Sequence, residues 1–386
     1  MVTNSKHVVY LDNAATTPLD PLVLAAMSES MISTFGNPSA SHSLGRQAKG
    51  VLENSRSTIA KLIGASPREI IFTSGGTEAD NIAIRCSVRD LGVRVIITSP
   101  IEHKAVLETA KCMIESDNIR IELVRVDELG RPDYVHLAEL AAHNNGALIS
   151  LMHANNEIGT LIDPKRVSQI AKDNNCLFHS DTVQTMGHYP INVEEFGADF
   201  LACSAHKFHG PKGIGFLYIK KQHLIKPIIT GGGQERNLRA GTENIPCIVG
   251  LTKALELCYE NAEHEIAQIQ ALKSYFYKQL ESNIPNIEIN GDSTPEGSLY
   301  TVLSVLLPEA ADPSLAIFQL DLEGICCSGG SACNSGAQTG SYVLNALGKP
   351  NNRQAVRFSF SRFTKKEDLD AACAAVQKIC NVHMEA

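Results

Sequence analysis

Apolar positions follow two regimes along the chain. Between Glu69 and Ile219 they come in short unbroken runs, at 70–72, 95–97, 121–124, 147–151, 176–178, 200–202 and 214–218, separated by polar or helix-periodic stretches. Unbroken runs, as opposed to alternating ones, mark strands buried on both faces, the pattern of a mostly parallel sheet between layers of helices. The region is therefore predicted to be α/β. From 250 to 283 the pattern changes: Leu251, Leu255, Cys258, Ala262, Ile266, Ile269, Ala271, Phe276 and Leu280 recur near helical spacing, and Pro285 ends the series. One helix over about 250–283, roughly 50 Å long at 1.5 Å per residue, is expected to bridge two domains. Runs at 300–307 and 355–360 read as strands, and 366–379 as a closing helix. The predicted division is a large domain, 15–260, and a smaller α+β domain made of 1–14 and 261–386.

Length agrees with two domains, because 386 residues exceed what one core usually supports. The net charge of −8, from 34 Lys and Arg against 42 Asp and Glu, argues against a nucleic-acid partner, whose phosphates call for basic surface. No apolar run approaches the ~20 residues of a membrane span, and residues 1–10 lack the pattern of a signal peptide. Eleven cysteines are too sparse for a disulfide scaffold and odd in number, so a reduced, cytoplasmic setting is expected.

Four segments carry candidate chemistry. Lys207 follows a buried run and sits in the glycine-bounded turn Ser204-Ala205-His206-Lys207-Phe208-His209-Gly210. A lysine held there is suited to a Schiff base if it is partly desolvated, although on this segment alone a solvated loop lysine is the preferred reading. His206 and His209 lack a third ligand at a recognisable spacing, so no metal is expected. Asp181 ends the run at 176–178, at the carboxyl edge where sheet ligands bind. A carboxylate there, with a Schiff-base lysine after the next strand, suits pyridoxal phosphate, whose ring nitrogen needs an acid to stay protonated. Thr73-Ser74-Gly75-Gly76-Thr77-Glu78 lies between a strand and a helix starting near Glu78. It reads either as a phosphate cradle or as an ordinary capping box. The glycine-rich stretch 231–244 reads on its own as a flexible loop. Finally, Cys333 stands among small residues in Ser328-Gly329-Gly330-Ser331-Ala332-Cys333-Asn334, as a mobile nucleophile would. Cys86, Cys203, Cys258, Cys373 and Cys380 are assigned to packing, as are the remaining cysteines apart from Cys326 and Cys327. Arg357 in Val356-Arg357-Phe358 offers a carboxylate a bidentate fork, or simply faces solvent mid-strand.

These pieces, with Tyr10-Leu11-Asp12-Asn13-Ala14-Ala15, Glu102-His103, Ala154-Asn155-Asn156-Glu157 and Arg239-Ala240-Gly241-Thr242, resemble the cysteine desulfurases in the class V aminotransferase branch of pyridoxal-phosphate enzymes. The run around Cys333 is similar to the nitrogen-fixation and iron–sulfur-cluster assembly subgroup. The resemblance implies a fold type I transferase, with a large domain whose mostly parallel sheet lies between helices and a smaller α+β domain. It implies removal of sulfur from L-cysteine to give L-alanine and a persulfide on Cys333. Lys207 would be the Schiff-base lysine and proton shuttle, Asp181 the pyridinium partner, and His103 the imidazole stacked on the ring. Gln184 would bond the ring oxygen, and Gly76, Thr77, Ser204 and His206 the phosphate. Thr242 would reach that phosphate from the second subunit of a homodimer. Asn155 would serve both cofactor and substrate, and Arg357 the substrate carboxylate, with Asn13 assisting. A sulfur-acceptor protein is the implied partner. Selenocysteine lyase or cysteine sulfinate desulfinase activity on the same fold, and a sulfur-shuttling scaffold without catalysis, are the alternatives. Thr182, His188 and Ser361 depart from the usual family pattern.

Overall fold

The computed structural model describes residues 8–308, 315–329, 341–350 and 352–384. Among the described residues twelve strands form three sheets: β1 (Val9–Tyr10), β2 (Ile70–Thr73), β3 (Val95–Thr98), β4 (Arg120–Leu123), β5 (Leu148–Ser150), β6 (Leu177–Asp181), β7 (Phe200–Ser204), β8 (Gly215–Ile219), β9 (Glu288–Asn290), β10 (Val302–Leu306), β11 (Ile325–Cys326) and β12 (Ala355–Ser359). All seven runs predicted between 70 and 218 become strands of one sheet, in the order β2-β8-β7-β6-β5-β3-β4. β8 alone is antiparallel to its neighbours, and β3 to β7 are mutually parallel. The inner strands are buried along their length. β4, at one edge, is not: Leu123 is half exposed although its run reads as apolar, whereas β2 at the other edge is buried.

A second, antiparallel sheet has the order β12-β10-β9, and β1 pairs in parallel with β11. One apolar core runs from Val23 to Cys258 around the large sheet. Another joins Val9 and Leu11 to residues between Ile269 and Cys380.

The single helix expected over about 250–283 is instead two. Ile245–Glu260 and Ala262–Asn283 are separated by Asn261, whose φ of −122° and ψ of 20° are not helical. The cause lies in what each half buries. Ile248, Leu251, Leu255 and Cys258 pack into the first core, while Ile269, Phe276 and Leu280 pack into the second. Two cores in different directions cannot be served by one straight apolar stripe. Ala271, counted in the expected stripe, is exposed. The closing helix runs Lys366–Met384. Among the described residues no helix is long and apolar enough to cross a membrane.

Candidate active site

The carboxyl ends of the parallel strands and the segments that follow them enclose a cavity of about 250 Å3. Its walls include Gly76, Thr77, His103, Asp181, Gln184, Ser204, His206, Lys207 and Arg357, nine of the candidate residues. Each arrives by a simple route. Asp181 and Ser204 are the last residues of β6 and β7. Lys207 closes the 3-10 turn Ala205–Lys207 directly after β7. His103 is the N-cap of the helix Lys104–Asp117, and its Nδ1 accepts from the Ala105 N–H at 3.1 Å, which fixes the ring. Lys207 Nζ donates to the carbonyls of Ala14 (2.7 Å) and Ala15 (2.9 Å), while Gln184 Nε2 donates to Ala14 O. The N-terminal segment therefore forms one wall.

The helix after β2 begins at Gly76, two residues earlier than expected, because Gly75 takes a φ of 153° and serves as its N-cap. A Cβ at Gly76 would lie 2.4 Å from Val183 Cγ2, so only glycine lets this N-terminus come so close to the turn after β6. First-turn N–H groups have no partner within their own helix. Facing Ser204 and His206, they make a cradle for an anion.

Arg357 is 2% exposed rather than facing solvent. Nη1 donates to Asn156 O at 2.7 Å and Nη2 to Asp12 Oδ1 at 2.9 Å. Three candidates lie off the cavity wall. Asn155 is consumed by its own loop, donating to Ile101 O and accepting from the Glu157 and Ile158 N–H groups. Asn13 donates to Ser359 O. Thr242 lines a different hollow, beside Ser74 and Gly241. Cys333 lies outside the described residues. The stretch 231–244 is not loose: Glu235, Arg236 and Asn237 take positive φ in succession, and Glu235 is buried in a two-pronged pair with Arg56. Cys112 is exposed, against the packing role assigned to it; Cys86, Cys203, Cys258, Cys373 and Cys380 are buried.

Asp80 was not picked out from the sequence, and Glu102 and Glu157 stood there only within quoted runs, with no role assigned. Asp80 and Glu157 line the cavity, and Glu102 is buried just behind it. Burial pushes the Glu102 carboxyl up to about 8, even though Ser99 Oγ and the Met152 N–H donate to it. Burial raises Asp181 also, while His103 and Lys207 work against that shift. Asp80 was legible in one respect: it falls four residues after Gly76, on the helix face that the cradle presents.

Residues 9–372 match the Aminotransferase class-V family, and the chain belongs to that family. It is 43% identical over 378 residues to the cysteine desulfurase IscS of Dictyoglomus turgidum, covering 97% of this chain and 95% of that one. Among solved structures, a NifS-like protein superposes with a TM-score of 0.89 at 36% identity, covering 97% of this chain and 100% of its own. SspA in complex with cysteine superposes with a TM-score of 0.79 at 31% identity, covering 92% and 99%.

Proposed function

We propose that this protein is a cysteine desulfurase that uses pyridoxal 5'-phosphate to take sulfur from L-cysteine, leaving L-alanine and a persulfide on Cys333. The observation that carries the reading is the meeting of an amine (Lys207), a buried carboxyl (Asp181), a capped imidazole (His103) and a helix N-terminus (Gly76, Thr77) in one cavity. That donor set fits the cofactor: the glycine cradle suits a phosphate, and Asp181 suits a ring nitrogen at the opposite side. When bound as a Schiff base on lysine, pyridoxal phosphate supplies an electron sink that acidifies the substrate Cα–H and labilises the bond to sulfur.

The chain's own groups do the rest. Gly76, Thr77, Ser204 and His206 hold the phosphate, Gln184 the ring oxygen, and His103 covers the ring. Lys207 would hold the cofactor and, with its amine free, would take the proton from the substrate Cα and return one to the product. Arg357 lies on the cavity wall, held by Asp12 and Asn156, and would orient the substrate carboxylate, with Asn155 and Asn13 assisting. The Cys333 thiolate attacks the substrate sulfur; the S–S bond forms as the C–S bond breaks, and the electron pair returns to carbon as alanine is protonated. The persulfide then passes to a thiol-bearing acceptor protein, as iron–sulfur cluster assembly requires. The name of the Dictyoglomus relative and the cysteine bound to SspA support the substrate.

A homodimer belongs to this reading, with Thr242 serving the partner's cofactor. Leu22, Leu24, Met31 and Ile32 on the helix Pro21–Ser33, and Phe35 after it, are exposed, Ile32 at 79% and Phe35 at 72%, and are the apolar surface that a second copy would cover. Domains of 15–260 and of 1–14 with 261–386 belong to the same proposal, and the two largest cores support it.

The test is turnover of L-cysteine with absorbance followed in parallel. A visible cofactor band that Lys207→Ala abolishes, and alanine production that Cys333→Ala abolishes, are expected. Turnover of cysteine surviving in Cys333→Ala, with selenide or sulfite released from the selenium and sulfinate analogues, would assign the protein to the lyase or desulfinase class. A wild-type protein without a band would be a scaffold.

A further inference from the structure

One buried carboxyl beside the cavity has no role in the reaction above. Asp80, on the helix Gly76–Arg89, is 1% exposed, and its Oδ1 has no hydrogen-bond partner. It lies 3.3 Å from Nε2 of His179, which is 0% exposed and likewise without a partner at that atom. The other ring nitrogen, Nδ1, is 2.8 Å from Ser150 Oγ. His179 and Asp181 are two apart on β6 and so share a face of the sheet, the face that Asp80 covers. One polar atom each from Asp80, Asp181 and His103 lies within 4.8 Å of the others.

We propose that Asp80 is a neutral carboxylic acid in the working enzyme, donating its proton to His179 Nε2, so that Asp181 remains the one charged carboxylate of the pair; Asp80 is thus a positioning residue for Asp181. The inference rests on the assignment of Asp181 to the cofactor ring. Two carboxylates this close in a buried site do not both ionise, and the proton settles where the surroundings least favour charge. The facing groups decide which one that is. His103 ahead of its helix and Lys207 after β7 favour ionised Asp181. Asp80 lies near His103 and neutral His179 as well, but the charges of Asp181 and Glu102 join burial in raising it well above the usual carboxyl range. Glu78, on the same helix, is turned to Ser74 and Arg239. Burial holds His179 neutral, its own value lowered to about 3, so it is able to accept. With its Nδ1–H donated to Ser150, both orphaned atoms find a partner through the single proton of Asp80.

The apoprotein supplies the first test, independent of any cofactor. Asp80→Asn keeps the shape without the titration. A native acid that ionises only on unfolding makes the wild-type folding constant fall relative to Asp80→Asn, by about tenfold per pH unit above the ordinary carboxyl range. The infrared C=O absorption of protonated acids should also lose one component in Asp80→Asn, leaving that of Glu102. Parallel unfolding profiles or an unchanged band would overturn the proposal. The positioning role is read in the holoenzyme: the pH at which the visible band titrates is expected to shift in Asp80→Ala and to return toward wild type in Asp80→Asn. If Asn and Ala behave alike, that role is wrong. A wild type without a visible band would refute the cofactor reading and leave the apoprotein result standing.

Discussion

Single atoms set the shape of the site. The methyl missing from Gly76 is what lets a helix N-terminus meet the turn after β6, since an added Cβ would lie 2.4 Å from Val183 Cγ2. Gly76→Ala is expected to cost about 1–3 kcal/mol of stability by overpacking, and to weaken cofactor binding in an absorbance titration. Lys207 shows the opposite economy: its amine rests on two backbone carbonyls, Ala14 O and Ala15 O, that no side-chain substitution removes. Asp181→Asn keeps the shape of the carboxyl and removes its charge. Because the acid that keeps the ring nitrogen protonated is lost, alanine formation is expected to fall by roughly 100-fold or more, with the visible band retained.

At the scale of elements, the sheet was legible and its interruptions were not. Uninterrupted apolar runs encode strands locally, and all seven appear. The break at Asn261 was hidden because apolar residues continue through it at helical spacing; only the divergence of two cores, a tertiary fact, divides the helix. The same limit applies to the site. Asp181 and Lys207 are readable because each follows a strand, whereas Glu102 and Asp80 acquire meaning only from what three-dimensional packing puts beside them. Arg56 and Glu235, far apart in sequence, illustrate it again. Their paired bonds of 2.7 and 2.8 Å, with Glu235 Oε2 also accepting the Phe72 N–H at 2.9 Å, pin a left-handed stretch that reads as a loose glycine loop. Arg56→Ala is expected to lower stability by about 3–5 kcal/mol, because it leaves a buried carboxylate without its cation; urea unfolding of the apoprotein measures it.

Across the whole molecule, burial holds His153, His188 and His209 down to about 4 and His179 to about 3. These rings stay neutral when folded and take up protons when unfolded, so stability falls as pH drops from about 6.5 towards 4, by about 1.4 kcal/mol per pH unit for each. The urea midpoint is expected to fall steeply over that range. Ile32→Glu with Phe35→Glu is expected to convert dimer to monomer in sedimentation, with loss of cofactor retention if Thr242 serves the partner. Arg357 Nη2 donates to Asp12 Oδ1, and the Ser359 N–H to Leu11 O, which ties the segment after β1 to β12 beside the cavity, across a separation of 345 residues for the first. Ribosomes add about 5–20 residues per second, so the N-terminal wall waits roughly 20–70 seconds for its partner strand to be made. The large core, Val23 to Cys258, can be buried during that interval, but the nascent protein has no complete active site, and desulfuration is withheld until Ala355–Ser359 has been made.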